Sequence, residues 1–259
     1  MKIKSLLLLS IGLLGSVAFA GAPASKAPCC VAPAADDSLG ATLSIGYESQ
    51  HLFHDVFIGD NWVSGEIDWA MPLTGNVSLD LGATYGGRAD DKDGSLQRLD
   101  LAAGLRANLG AANIGLGYRW IHYMGEVDNV FGLSEGHEVG LSISTSAGPV
   151  NLDLGGYYDF GADGWYFSAG VNTEIKITDR LSLVPGVSVG YVVDYDYHGL
   201  ALSGLNGFTA VNLTLEAPYK LTKHATLVPF IGGRLPIDAL KDAGLDNQLY
   251  GGVFLRVKF

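Results

Sequence analysis

After residue 20 this chain has no apolar run approaching the roughly eighteen residues that a membrane-spanning helix needs, so helical crossings are excluded from its body. Cysteine is almost missing. The two present, Cys29 and Cys30, are adjacent, and vicinal cysteines do not close a comfortable ring, so no disulfide staples a core. Charge is sparse at 17%, and the 16 Lys and Arg are outnumbered by 27 Asp and Glu. Without a basic stripe, nucleic acid is not an expected partner. No Gly-rich phosphate loop opens a helix and no nucleophile elbow occurs, so nucleotide and serine-hydrolase chemistry find no footing. What the chain does have is glycine, 36 residues of it, with many aromatics and a hydrophobic share of 48%. Gly and aromatics enriched over Lys and Glu point to strands and turns rather than helices.

Residues 1–20 read as a secretory signal peptide. Lys2 and Lys4 give a basic start, Leu6 to Leu14 an apolar stretch, and Ala18-Phe19-Ala20 a cleavage triplet. Residues 21–38, GAPASKAPCCVAPAADDS, lack any hydrophobic period and read as a flexible periplasmic tail. Cys29 and Cys30 belong to that tail, with an intermolecular disulfide or a soft-metal contact as their remaining uses.

From residue 39 to 259 the pattern alternates with period two. In VSLDLGATY, Val77, Leu79, Leu81, Ala83 and Tyr85 share one side, and Ser78, Asp80, Gly82 and Thr84 the other. Twelve such strands are predicted, near 39–49, 61–71, 76–87, 95–109, 112–123, 136–146, 149–160, 164–177, 180–195, 207–218, 223–235 and 247–259. Tight turns at 73–76, 110–113, 146–149, 178–180 and 221–224 alternate with mostly longer polar loops, among them 51–60, 88–94 and 124–136. That is an up-and-down meander with one plain end and one elaborated end. ITDRLSLVPGVSVG from Ile177 and LTKHATLVPFIGG from Leu221 echo one another. Their matched Pro185 and Pro229 predict a bulge in each strand, because proline removes a ladder donor.

The apolar face ends in aromatics at two levels. Trp69, Tyr219 and Phe259 lie toward the tight turns, while Tyr47, Tyr85, Trp120, Tyr158, Trp165 and Tyr191 lie toward the long loops. Rings at two levels with aliphatics between match the girdles of a bilayer-spanning barrel. The opposite face carries Gly, Ser, Asn and both charge signs, as the wall of a confined polar lumen would. The expected fold is therefore an all-β, closed, antiparallel up-and-down transmembrane barrel of about twelve strands. Its expected pore lining is Glu66, Asp68, Asp80, Asp100, Glu138, Asp153, Glu174, Asp194 and Glu216 against Arg98, Arg106, Arg119, Arg234 and Arg256. The arginines are expected to face acids across a constriction, and the acidic surplus to favour cations.

The last strand, LYGGVFLRVKF, alternates and ends on Phe259. It resembles the C-terminal signal of bacterial outer-membrane barrel proteins, through Tyr250, Val253, Leu255, Val257 and Phe259. That resemblance implies export to the outer membrane, contact with its lipids, and insertion by the barrel-assembly machinery. GYESQHLFHDVFIGDNW and DRLSLVPGVSVGY resemble strands of the TorF-type porins more narrowly. The Arg-Gly customary in their first loop is replaced here by Ile58-Gly59-Asp60.

The leading functional expectation is a channel for passive diffusion of small hydrophilic solutes or ions, with oligomeric assembly left open. The alternative is a barrel plugged by Trp62, Tyr157, Phe230 and Phe254 that serves as a structural or adhesive surface protein. A barrel enzyme is the weakest reading. No His-x-Ser occurs, as a barrel phospholipase would need, and only DYDYH, with Asp194, Asp196 and His198 on one face, suggests a protease-like rim. His51 and His54 share the first long loop, and His122 and His137 flank the third. None has the spacing of a zinc site, so neither metal nor cofactor is expected.

Overall fold

The computed structural model describes residues 39–89, 96–125, 134–197 and 202–259; the residues expected to form the signal peptide and the tail with Cys29 and Cys30, and also His198, lie outside these. Alternation carries the chain into fourteen strand segments: β1 (Ala41–Phe53), β2 (Val56–Thr74), β3 (Val77–Arg88), β4 (Gln97–Asn108), β5 (Ala112–Met124), β6 (Glu135–Ala147), β7 (Val150–Asp159), β8 (Gly164–Thr173), β9 (Ile175–Lys176), β10 (Ser182–Tyr197), β11 (Leu202–Glu216), β12 (Tyr219–Lys220), β13 (Ala225–Pro236) and β14 (Gln248–Lys258). β9 and β12 continue β8 and β11 past short breaks, so the segments make twelve staves. Every pairing is antiparallel between sequential neighbours, and β1 pairs with β14 in the register Ser44↔Arg256 and Tyr47↔Val253. That pairing closes the barrel and removes both sheet edges.

The two echoed prolines do not bulge their own strands: Pro185↔Leu215 and Pro229↔Val253 sit in regular register. The neighbour gives way instead. β8 ends at Thr173, which faces Pro185, and breaks at the next residue, Glu174; β11 breaks at Ala217-Pro218, with Ala217 facing Pro229. In each case the neighbouring stave is interrupted at or next to the residue that faces the proline, where the ladder lacks a donor.

The outer surface is apolar. Ile45, Ile67, Leu105, Leu116, Leu141, Leu154, Leu213 and Leu255 all point out, and the girdle residues Trp69, Tyr219 and Phe259 at one end and Tyr47, Tyr85, Trp165 and Tyr191 at the other are exposed. No helix among the described residues is long and apolar enough to cross a membrane, which says nothing against crossing by strands.

The expectation for the first long loop fails. Residues 51–60 are not an open polar loop but the continuation of β1 and β2, joined by a two-residue turn at His54-Asp55 with φ of 46° and 64°. Positive φ at both central residues suits the twist of the flanking strands. The wall releases this hairpin. β1 pairs with β14 only as far as Glu48↔Gly252, and β2 with β3 only from Trp62↔Arg88. A register shift at His51/Leu52 and a positive φ at Asn61 mark where the two strands bend. Beyond them the hairpin folds into the lumen, where Leu52, Phe53, His54, Asp55 and Val56 are all buried. The connection after β13 also turns inward. Its short helix α1 (Asp238–Asp242) places Leu240 in the same cluster as Val56, Tyr195 and Tyr197.

Candidate functional site: the plugged lumen

Chain direction divides the lumen into a loop-side half and a turn-side half. In the loop-side half the hairpin tip meets wall residues from most of the barrel. Phe53 lies under the guanidiniums of Arg98 and Arg119, 4.0 and 5.1 Å from ring centroid to Cζ. Such stacking lets an arginine sit against apolar surface while its edge pairs with carboxylates. Arg98 donates two bonds of 2.6 Å to Asp100, and Arg119 pairs with Glu138. Glu138, wholly buried, also accepts from His54 Nε2. The His54 ring packs against Tyr166 and Tyr195 at centroid distances of 4.3 and 5.6 Å. The Tyr197 hydroxyl donates to the His54 carbonyl at 2.8 Å.

Asp55 reaches the opposite wall. Its carboxylate accepts from Tyr166 on β8 at 2.9 Å, Thr209 on β11 at 2.6 Å and Asn212 on β11 at 2.6 Å. Arg234 on β13 holds the Asp55 carbonyl at 2.5 Å and the Asp246 carbonyl at 2.9 Å. On the third side Leu52 packs with Phe230, Tyr250, Phe57 and Phe254. Phe254 lies flat on the wall because Gly46 faces it; a Cβ there would fall 2.1 Å from its ring.

The turn-side half differs. Glu66, Asp68, Arg106, Asp153 and Arg256 are half-buried, with no hairpin over them. Arg106 pairs with Asp80 at 2.5 Å, and Asp153 accepts from Asn172 at 3.4 Å. Glu216 is buried at the turn-side end of β11.

Two expected lining residues lie elsewhere. Asp194 has a φ of 49° at a bulge that turns both Val192 and Tyr195 inward, and its own exposed side chain accepts from Asn206 at 2.9 Å. Glu174 is exposed at the turn-side rim, where Ser182 donates to it at 2.5 Å. The expected arrangement of arginines facing acids across a constriction is replaced. Arg98–Asp100, Arg119–Glu138 and Arg106–Asp80 run along the β3–β6 wall, and Arg234 holds backbone carbonyls. Sequence reasoning misses Asp55, Tyr166, Thr209 and Asn212, and it weighs His54 only as a metal ligand. One signal could have found them: LFHDVFI carries five apolar residues where a solvated loop should be polar.

Of the terminal residues, Val253, Leu255 and Phe259 face out, whereas Tyr250 is buried in the lumen beside Phe230. His54, Glu138 and Asp159 bring one ligand atom each within 4.8 Å, the sort of trio that could hold a metal ion. Their oxygens are already committed. Glu138 serves His54 and Arg119, and Asp159 accepts from the Tyr195 hydroxyl at 2.8 Å and from the Gly161 and Ala162 amides. The trio reads as a hydrogen-bonded latch. Asp196 of the protease-like segment accepts from the Gly204 amide at 2.5 Å, and thereby ties the stem of its own loop.

No family model matches the chain, and no curated protein matches it in sequence. Solved structures do. The COG4313 outer membrane channel from Pseudomonas putida F1 superposes with a TM-score of 0.54 at 12% identity, over 89% of this chain and 100% of that one. A KdgM porin in complex with disordered oligogalacturonate gives 0.51 at 9% identity, over 84% and 99%. This chain has the fold of the bacterial outer-membrane barrel porins. At such identities the likeness is one of fold, and the contents of this barrel have to be read from its own residues.

Proposed function

We propose that the chain is an outer-membrane channel for small hydrophilic solutes or ions, and that its first hairpin closes it in the conformation described here. The apolar outer belt sits in lipid, and β14 with its terminal Phe259 serves as the segment read by the barrel-assembly machinery. The observation that carries the channel reading is the chemistry of the plug. A lumen filled only for stability would be filled with apolar side chains. Here the tip is held by His54–Glu138, by the Asp55 carboxylate, and by carbonyl contacts from Tyr197 and Arg234. Each of those groups can be rehydrated when the hairpin leaves, so withdrawal exposes a polar passage rather than a greasy one. The turn-side half carries half-buried charges of both signs, Glu66, Asp68 and Asp153 with Arg106, Arg256, Lys220 and Lys258, as the lining of an ion pathway would. The porin fold of the two superposed structures supports the same reading.

The buried packing of Trp62, Tyr157 and Phe230 favours a second reading, a permanently filled barrel with a structural or surface role. Planar-bilayer recording separates the two. The channel reading expects discrete ion-permeable steps from the purified, folded wild-type chain, with brief openings. Silence from both the wild type and a variant lacking the hairpin tip would establish the filled barrel and end the channel proposal.

A further inference from the structure

The Asp55 carboxylate occupies a complete receptor. Tyr166 and Thr209 donate to its Oδ2 at 2.9 and 2.6 Å, and Asn212 donates to its Oδ1 at 2.6 Å. All three donors belong to the wall, on β8 and β11, and all are more than nine-tenths buried. Between them β10 contributes Gly190, where a Cβ would fall 2.0 Å from Oδ2 and 2.2 Å from the Thr209 hydroxyl. The wall has therefore left out a side chain at the place where the carboxylate sits. Two donors to one oxygen, one donor to the other and a flat gap at Gly190 match a planar two-oxygen anion. The donors are neutral, which suits a single negative charge.

We infer that Tyr166, Gly190, Thr209 and Asn212 form a carboxylate-binding site of the channel wall, and that Asp55 is its built-in occupant. When the hairpin withdraws, the three donors turn toward the hydrated lumen, held in the geometry that fits a carboxylate and bonded only to exchangeable water. A carboxylate-bearing solute takes the vacated place and so holds the channel open. The inference rests on the channel reading for its physiological meaning, but the site itself can be tested without conduction.

Asp55 has positive φ, so Asp55→Gly keeps the turn and removes only the occupant. Titration calorimetry with sodium acetate, against sodium chloride at matched ionic strength, is carried out on the full chain in detergent. Folding is checked by β-type circular dichroism. The expected result is saturable, one-to-one acetate binding to Asp55→Gly. Binding to the wild type should be weaker by about tenfold or more, because the tethered carboxylate competes at high effective concentration. Adding Thr209→Val and Asn212→Leu to Asp55→Gly should abolish it. Folded Asp55→Gly without saturable acetate binding overturns the inference, as does equal binding by the triple variant. If Asp55→Gly does not fold, Trp62 at the base of the hairpin reports on the wild type. Acetate but not chloride should red-shift its emission, with Trp62→Phe as the control and Thr209→Val/Asn212→Leu insensitive; no shift overturns the site. Acetate binding without ion-permeable steps would sink the channel and keep the site, and the reverse would sink the site alone.

Discussion

The two halves of the lumen are lined by the same twelve staves, yet they are occupied in opposite ways. On the loop side the inward side chains are buried against a hairpin that has left the wall. On the turn side Glu66, Asp68, Arg106, Asp153 and Arg256 remain half-exposed along the wall itself. Strand alternation decides which residues face inward, and it does so identically in both halves. What stands in the enclosed space is decided by the segments that stop pairing with the wall, at Glu48 and Trp62. An arginine of the same stave system is consequently a buried partner in one half, as Arg119 is, and a solvated one in the other, as Arg106 is.

The sharpest way to break this contrast is to make the halves alike. Replacing residues 50–59 by an Asn-Gly turn removes the tip and leaves the wall pairing intact. Single-channel conductance in planar bilayers should then rise on the order of tenfold, because the plug that fills the loop-side half is gone. An unchanged conductance would mean that the loop-side half is not the barrier.

The next effect is on stability. Glu138→Leu removes the carboxylate that buried Arg119 and His54 share, leaving Arg119 with the more distant Asp100 at 3.8 Å, and removal of one partner of a buried pair costs about 3–5 kcal/mol. Urea unfolding in detergent measures it. A loss as small as that of a turn-side variant would erase the distinction between the halves. Gly190→Ala comes third. The added methyl collides with the Asp55 carboxylate, and overpacking of this kind costs about 1–3 kcal/mol. The wall hydroxyl of Thr209, 2.2 Å from the added methyl, is crowded in either state, but the clash with Asp55 is present only in the closed form, so bilayer openings should also become more frequent than in the wild type.

Much of this architecture was legible beforehand. The twelve alternating runs, the tight turns and the two aromatic levels follow from a period-two pattern that a closed barrel obliges the chain to keep. The proline-bearing strands were placed correctly, but the adjustment fell on the neighbouring staves at Glu174 and Ala217, since a missing donor can be answered from either side of a ladder. Asp194 was assigned inward by counting, and a bulge moved the count by one. The plug was least legible. His54 and Asp55 sit in a segment whose alternation continues that of β1 and β2, and alternation cannot report that a ribbon has turned off the wall. Alternation places the arginines on the inner face but does not say which groups they meet there. Only the long-range meetings of Asp55 with Thr209 and Asn212, more than 150 residues apart, reveal how the lumen is filled.

The smallest expected effect lies in the turn-side half and tests whether that half filters ions. Asp80→Asn leaves Arg106 without its ion-pair partner at 2.5 Å, but the arginine side chain is 21% exposed and can turn to water. Asp80 is buried but Arg106 keeps access to water, so the stability change should lie at about 1–2 kcal/mol, below that of Glu138→Leu. Selectivity should move further than stability. One lumen carboxylate is lost beside an unchanged guanidinium, so the reversal potential under a salt gradient should shift toward anions, and Arg106→Gln should shift it toward cations. Since the tip does not cover this pair, both shifts should persist in the variant lacking residues 50–59. Shifts that vanish once the tip is removed would place the filter in the loop-side half.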